Sequence, residues 1–234
     1  MNLDKSNSFN IIHMEKLNQA VKLISPTFKN ENLDEILKGA NPFRAEGHYL
    51  YPADERGNHL QGFFLLDPIA KHPDLVELIS EDMLKWIKTR AIDFDLIFSP
   101  AQPGVKKFAD YISSKLGKKK AYLEYLPSGR FGDKLVEGEI KPNDKVLVFN
   151  AVAVQGGCIG NKLPKLVETF KGKVVAAATF AKGITPLIQE TEKIHGDNFY
   201  ATIQIPVQVY SPDTCPLCQA EIELVPWTKL LEKI

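Results

Sequence analysis

The stretch Lys145 to Gly160, KVLVFNAVAVQGGCIG, joins an apolar run to a glycine pair and then to a helical pattern. Four apolar residues in a row, Val146-Leu147-Val148-Phe149, suit a strand buried on both faces of a parallel sheet. Gly156 and Gly157 follow, and a helical spacing opens at Asn161 and runs through Leu163, Leu166, Val167 and Phe170. Strand, glycine turn and helix in that order offer backbone N–H groups to an anion at a helix N-terminus. The bland alternative is a tight turn that holds nothing, because a glycine pair needs its structural context to count.

Three other groups of residues bear on chemistry. Cys215 and Cys218 have CxxC spacing, which supplies half of a tetrahedral zinc site. Cys158 lies in the glycine turn and is expected to be a small packing residue rather than a third ligand. A structural turn with reduced thiols is the adopted reading of the pair, so zinc at Cys215/Cys218 is not expected. A zinc shared across a two-fold dimer and a redox dithiol are the alternatives. Arg130 and Lys134 sit in a polar segment, Pro127 to Lys134, that is expected to be mobile. They would close over a diphosphate and neutralise a leaving group, or else be ordinary loop charge. The five histidines, His13, His48, His59, His72 and His195, form no HxxxH or HExxH pattern, and no GxSxG elbow occurs. Protease, esterase and zinc-hydrolase chemistries are therefore poor fits.

The elements that must position these residues read as α/β. Lys and Arg total 29, Asp and Glu total 29, and hydrophobic residues make up 44% of 234. Zero net charge argues against a nucleic-acid-coating surface or a polybasic membrane anchor. No run of about 18 apolar residues suggests a membrane span. The first ten residues lack the apolar core of a signal peptide. An odd number of cysteines is no disulfide framework, so a reduced, cytoplasmic protein is expected. Helical spacing covers Ile11 to Ile24, and a second short helix runs through Leu33 to Leu37. Residues 43–69 look β-rich, with a turn cluster at 52–58 and a buried strand at Phe63-Phe64-Leu65-Leu66. A helix opens at Pro73. Strands are then expected at 95–98, 120–126, 145–149, 173–180 and 198–209, with helices between them. This alternation gives a parallel sheet with helices on both faces and ligands beyond the carboxyl ends of the strands. The loops after Phe98, Leu126 and Phe149 then share one rim.

Those rim loops, in this order, give the chain its resemblance. Asp95-Leu96-Ile97-Phe98-Ser99-Pro100-Ala101 with Gly104, the Ser128 to Lys134 segment, and Lys145 to Gly157 resemble, respectively, the pyrophosphate turn, the flexible catalytic loop and the phosphoribosyl-pyrophosphate signature of the type I phosphoribosyltransferases. Gly47-His48-Tyr49-Leu50, Gly62 to Leu66 with Pro73, and Cys215-Pro216-Leu217-Cys218 are similar to segments of the orotate phosphoribosyltransferase branch. The likeness spans roughly residues 45 to 226. It implies a type I phosphoribosyltransferase-like parallel twisted sheet with flanking helices. Residues 1–44 would be an N-terminal helical hood, and 45–234 the catalytic-type domain with its CPLC tail. It implies Mg2+ bound with phosphoribosyl pyrophosphate, and a homodimer in which each flexible loop reaches the neighbour's site.

The signature itself departs from the family. Its acidic pair is replaced by Asn150 and Ala151, and its hydroxyl-bearing turn by Val154 and Gln155. Carboxylates near an oxocarbenium-like centre stabilise it, and losing such a group costs on the order of 10²–10³-fold in rate. Asn150, Ala151, Val154, Gln155, Gly156, Gly157 and Cys158 are the implied phosphate and ribose residues, and Ala101, Gln102, Pro103 and Gly104 the implied pyrophosphate loop. Pro103 removes one backbone donor there. Three functions stay open. The first is transfer of phosphoribose to a pyrimidine-like base. The second is a degenerate, non-catalytic nucleotide-sensing or regulatory relative. The third is different chemistry on the same fold.

Overall fold

The structure is a computed structural model, and it describes residues 27–28, 44–51, 57–64, 66–205 and 207–233. The two expected N-terminal helices and most of the hood lie outside the described residues. The strands are β1 (Thr27–Phe28), β2 (Arg44–Leu50) and β3 (His59–Phe64). Next come α1 (Asp67–Ala70), α2 (Pro73–Thr89), β4 (Leu96–Pro100), α3 (Pro103–Leu116), β5 (Lys119–Tyr125), β6 (Phe131–Glu137) and β7 (Lys145–Ala153). A π-helical turn (Cys158–Lys162) leads into α4 (Leu163–Thr169), followed by β8 (Lys173–Lys182), α5 (Pro186–His195) and β9 (Phe199–Gln204). Then come β10 (Val209–Tyr210), α6 (Pro216–Gln219), β11 (Val225–Pro226) and a 3-10 helical segment (Trp227–Lys233).

These elements fall into two compact units. The larger, residues 64–205 with β1, holds a seven-stranded sheet of order β1-β9-β8-β7-β4-β5-β6. Strands β5, β4, β7, β8 and β9 run parallel, and β6 and β1 are antiparallel edges. The expected parallel sheet with flanking helices is therefore present. Its centre is as apolar as the sequence suggested: Val146, Leu147 and Val148 of β7 and Leu96, Ile97 and Phe98 of β4 are fully buried. Helices α2 and α3 bury the stripes Leu75, Val76, Ile79, Met83 and Val105, Phe108, Ala109, Ile112. Each opens on a proline, whose missing N–H costs nothing in a first turn. Gly117 closes α3 in the left-handed conformation.

The smaller unit, residues 44–63 and 207–233, carries a four-stranded sheet of order β10-β3-β2-β11. Among its described residues, one apolar cluster joins Cys215, Leu217 and Ile222, with Tyr210 and Ala220 packed against them.

Three local expectations change. The strand expected to reach Leu66 ends at Phe64, and Leu66 becomes the N-cap of α1, because Pro68 favours a helical first turn. The strand expected over 198–209 is two strands in different sheets, β9 and β10, separated in sequence by a proline that cannot serve a ladder. The polar segment Pro127 to Lys134, read as a loop, forms the tip of a β5–β6 hairpin and the first residues of β6, with Leu126 N–H to Arg130 C=O at 2.7 Å and Gly129 N–H to Leu126 C=O at 2.9 Å closing it.

Candidate functional site

Strand β7 continues past the expected end at Phe149 to Ala153 and carries Asn150 and Ala151 inside the sheet, at 5% and 4% exposure. The Asn150 side chain is spent locally: its Oδ1 accepts from the Ala151 N–H at 2.9 Å and its Nδ2 donates weakly to Val152 C=O at 3.4 Å. Thr179, opposite on β8, donates from its hydroxyl to the carbonyls of Ala151 and Ala181. The turn proper is Val154-Gln155-Gly156-Gly157. Gly156 adopts φ +87°, and a Cβ there would press on Ile188 at 3.0 Å. Gly157 is the opposite case, since a Cβ would meet nothing within 4 Å. The turn is held by Gly160 N–H to Gly156 C=O at 2.8 Å, Gly183 N–H to Ala153 C=O at 2.9 Å, and the Thr185 hydroxyl donating to Gln155 C=O at 3.1 Å. The helix that follows begins with a π turn, a feature found often at functional sites. Burial pushes the Cys158 thiol up to about 11, against a small opposing pull from Lys162, so it is protonated at neutral pH. That fits a packing residue rather than a nucleophile.

The turn after β4 lies on the neighbouring parallel strand at the same edge of the sheet. Its helix start is already occupied. Asp67, from α1, accepts from the Gly104 N–H at 2.8 Å and from Gln102 Nε2 at 2.8 Å. The carboxylate sits where an anion would, and a Cβ on Gly104 would lie 3.0 Å from it. Ala101 N–H donates to Leu123 C=O at 2.7 Å. Lys106 and Lys107, which could have compensated for Pro103, are engaged elsewhere: Lys106 pairs with Glu137 at 2.6 Å and Lys107 donates to Ala70 C=O at 2.7 Å. Of the expected pyrophosphate residues, the structure brings Gln102 and Gly104 together, but around Asp67.

The third rim segment reaches the first through Lys162. Its Nζ donates to Phe131 C=O at 2.6 Å and pairs with Asp133 at 3.2 Å. Lys134 lies on strand β6, and Arg130 at the hairpin tip just before it. Burial, with the charge of Asp67 adding, pushes the Tyr125 phenol up to about 12. The three loops therefore do share one rim, as the strand order required.

The CxxC pair is in the smaller unit and is not a bare turn. Cys215 and Cys218 meet His48 of β2 and His59 of β3, and the four ligand atoms lie within 4.8 Å of one another. The site offers four ligands, not the two that the CxxC spacing supplies. The missing two come from strands more than 150 residues upstream, and no local spacing rule pairs them with the tail. Asp67 was missed for a related reason, since its partners are 35 and 37 residues away. The available signal was the four-residue total of His and Cys in strands and tail, not any motif.

The fold is that of the type I phosphoribosyltransferases. Orotate phosphoribosyltransferase from Aeropyrum pernix superposes with a TM-score of 0.54 at 14% identity, over 74% of this chain and 92% of that one. Leishmania donovani UMP synthase gives 0.56 at 17% identity, over 74% of this chain and 36% of that longer chain. In sequence the chain is most like the orotate branch. It is 25% identical over 198 residues to orotate phosphoribosyltransferase of Sulfurovum sp. (strain NBC37-1), covering 80% of this chain and 94% of the relative. It is 26% identical over 181 residues to the protein of that name from Carboxydothermus hydrogenoformans, covering 77% and 88%. No protein-family model matches the sequence. Among the described residues, no helix is long and apolar enough to cross a membrane.

Proposed function

We propose that the chain binds the 5-phosphate of a phosphoribosyl or nucleotide ligand at the turn after β7, and transfers phosphoribose to a pyrimidine-like base at most slowly. One observation carries the reading: β7 enters a helix through Gly156 at φ +87° and an unobstructed Gly157, at the carboxyl edge of a parallel sheet. The orotate phosphoribosyltransferases that the chain resembles over about four-fifths of its length support the ligand class. Slow transfer follows from Asn150 and Ala151. Neither carries a carboxylate, and the Asn150 amide is turned onto its own backbone. For the same reason these two positions do not fit the Mg2+ that the resemblance implies, which takes carboxylate oxygens. In the same reading the molecule is a cytoplasmic homodimer, as the resemblance and the unpaired cysteines suggest. Arg130 and Lys134, at the hairpin tip and the start of β6, are the cations assigned to neutralise the ligand's charge.

A second reading, ligand holding without turnover, is favoured by Asp67. A diphosphate entering the turn after β4 would meet a carboxylate instead of free N–H groups. Calorimetric titration tests both. Ribose 5-phosphate and phosphoribosyl pyrophosphate should bind with similar micromolar affinity, with little change on adding Mg2+. Turnover of orotate at rates ordinary for an enzyme, about 1 s⁻¹ or more, would remove the slow-transfer clause. No binding of either ligand at millimolar concentration would overturn the proposal and leave the fold serving another chemistry.

A further inference from the structure

We propose that His48, His59, Cys215 and Cys218 form a closed Cys2His2 site for a zinc ion, which clamps the C-terminal segment onto strands β2 and β3. The site is independent of the phosphate-binding turn, since all four residues belong to the smaller unit.

The distances suit one small tetrahedral ion. His48 Nε2 lies 2.9 Å from His59 Nδ1, 3.5 Å from Cys215 Sγ and 3.7 Å from Cys218 Sγ, and His59 Nδ1 lies 3.3 Å from Cys218 Sγ. With Zn–N near 2.0–2.1 Å and Zn–S near 2.3 Å, tetrahedral edges run from about 3.4 to 3.8 Å. Three of these edges, 3.3, 3.5 and 3.7 Å, fall in or within about 0.1 Å of that range, and the ion's own bonds would open the 2.9 Å one.

The imidazole orientation is a separate argument. His48 Nδ1 donates to Ile222 C=O at 2.7 Å, which leaves Nε2 without a proton and its lone pair facing the other three ligand atoms. Metal-bound histidines typically donate their other ring N–H to a carbonyl in this way, which fixes tautomer and angle. Without an ion, that single lone pair can accept only one of the three groups crowded onto it. His48, His59 and Cys215 are 2%, 5% and 1% exposed, so water cannot relieve the crowding, while Cys218 sits at the rim. Two sulfurs and two imidazoles select zinc over the hard cations, which prefer oxygen. Four protein ligands leave no open position, so the ion is structural rather than catalytic.

The fold gives such an ion a task. Among the described residues, the apolar cluster beside the four ligands is Cys215, Leu217 and Ile222 with Tyr210 and Ala220 against them, and a cluster of that size commonly needs a staple. The histidine and cysteine ligands lie 156 to 170 positions apart in the chain. Binding free energy at such a site is folding free energy for the unit it closes.

The test uses the full-length protein, stripped of metal by chelation with its thiols kept reduced, then titrated with Zn2+ and with Co2+. The expected result is about one ion per chain, with cobalt showing the intense d–d bands of a tetrahedral site and thiolate-to-cobalt charge transfer. Stripping should lower the melting temperature by at least ~5 °C, and zinc should restore it. His59→Ala should weaken zinc binding at least 100-fold. So should Cys218→Ser, whose residue is exposed enough for the variant to fold without the metal. Cys158→Ser should bind as the parent does. Three results would each overturn the proposal: reduced protein that takes up less than about 0.1 zinc per chain, a cobalt spectrum without thiolate charge transfer, or Cys218→Ser and His59→Ala that keep the parent's affinity.

Discussion

Two strand-to-helix turns on adjacent parallel strands, after β4 and after β7, have the same topology and opposite chemistry. After β4 the first turn of α3 is filled from within: Asp67 takes the Gly104 N–H and Gln102 holds the same carboxylate. After β7 the helix opens through Gly156 and Gly157, and the space beside Gly157 is clear. A parallel sheet makes every strand end a possible anion site. What decides is whether the chain supplies its own anion. One of these turns is therefore read as a structural joint and the other as a ligand site.

The largest expected effect comes from breaking the open turn itself. Gly156→Ala puts a side chain at φ +87° and 3.0 Å from Ile188, and should destabilise the protein by about 2–3 kcal/mol in urea denaturation. Parent-like stability would mean that this turn is not held as described. Next is the closed turn. Asp67→Ala leaves the Gly104 N–H without its carboxylate and should cost about 1–2 kcal/mol. It should also tighten phosphoribosyl pyrophosphate binding relative to ribose 5-phosphate, because a diphosphate could now reach α3. An unchanged ratio would break the comparison. Gly157→Asp tests the open turn from the other side. The added carboxylate has room, so stability should move by no more than about 0.5 kcal/mol, while ribose 5-phosphate affinity falls at least tenfold in calorimetry.

A last effect is on pH dependence. The Cys158 thiol titrates near 9.0 when unfolded and at about 11 when folded, so the folded state keeps a proton that the unfolded chain has lost. Stability from this group is complete below pH 9 and declines as pH rises toward 11, by about 1–2 kcal/mol for a half-buried residue. Cys158→Ser should flatten that decline in urea melts compared across the window. An equal decline in both proteins would place the thiol in water rather than against the turn.

Much of the larger unit was legible in the amino-acid order. Apolar runs gave β4, β7 and β8, and periodic stripes gave α2 and α3, because burial on two faces or one leaves a local pattern. The glycine turn was legible too, although its start was placed four residues early: a strand continues while its ladder partners do, and β8 pairs with β7 as far as Ala153. The tip of the β5–β6 hairpin was not legible, since its polar residues resemble any exposed loop and only pairing to β5 makes them a strand.

Residue types and their order by themselves determined the α/β class, the buried central strands, the loss of the acidic pair at Asn150 and Ala151, and the presence of a CxxC. Tertiary structure alone decided that Asp67 fills the turn after β4 and that His48 and His59 complete the Cys215–Cys218 set. The reason is reach. A helix or strand is written in neighbours two to four residues apart, whereas these contacts join residues from 35 to 170 positions apart, and only the folded sheets bring them together.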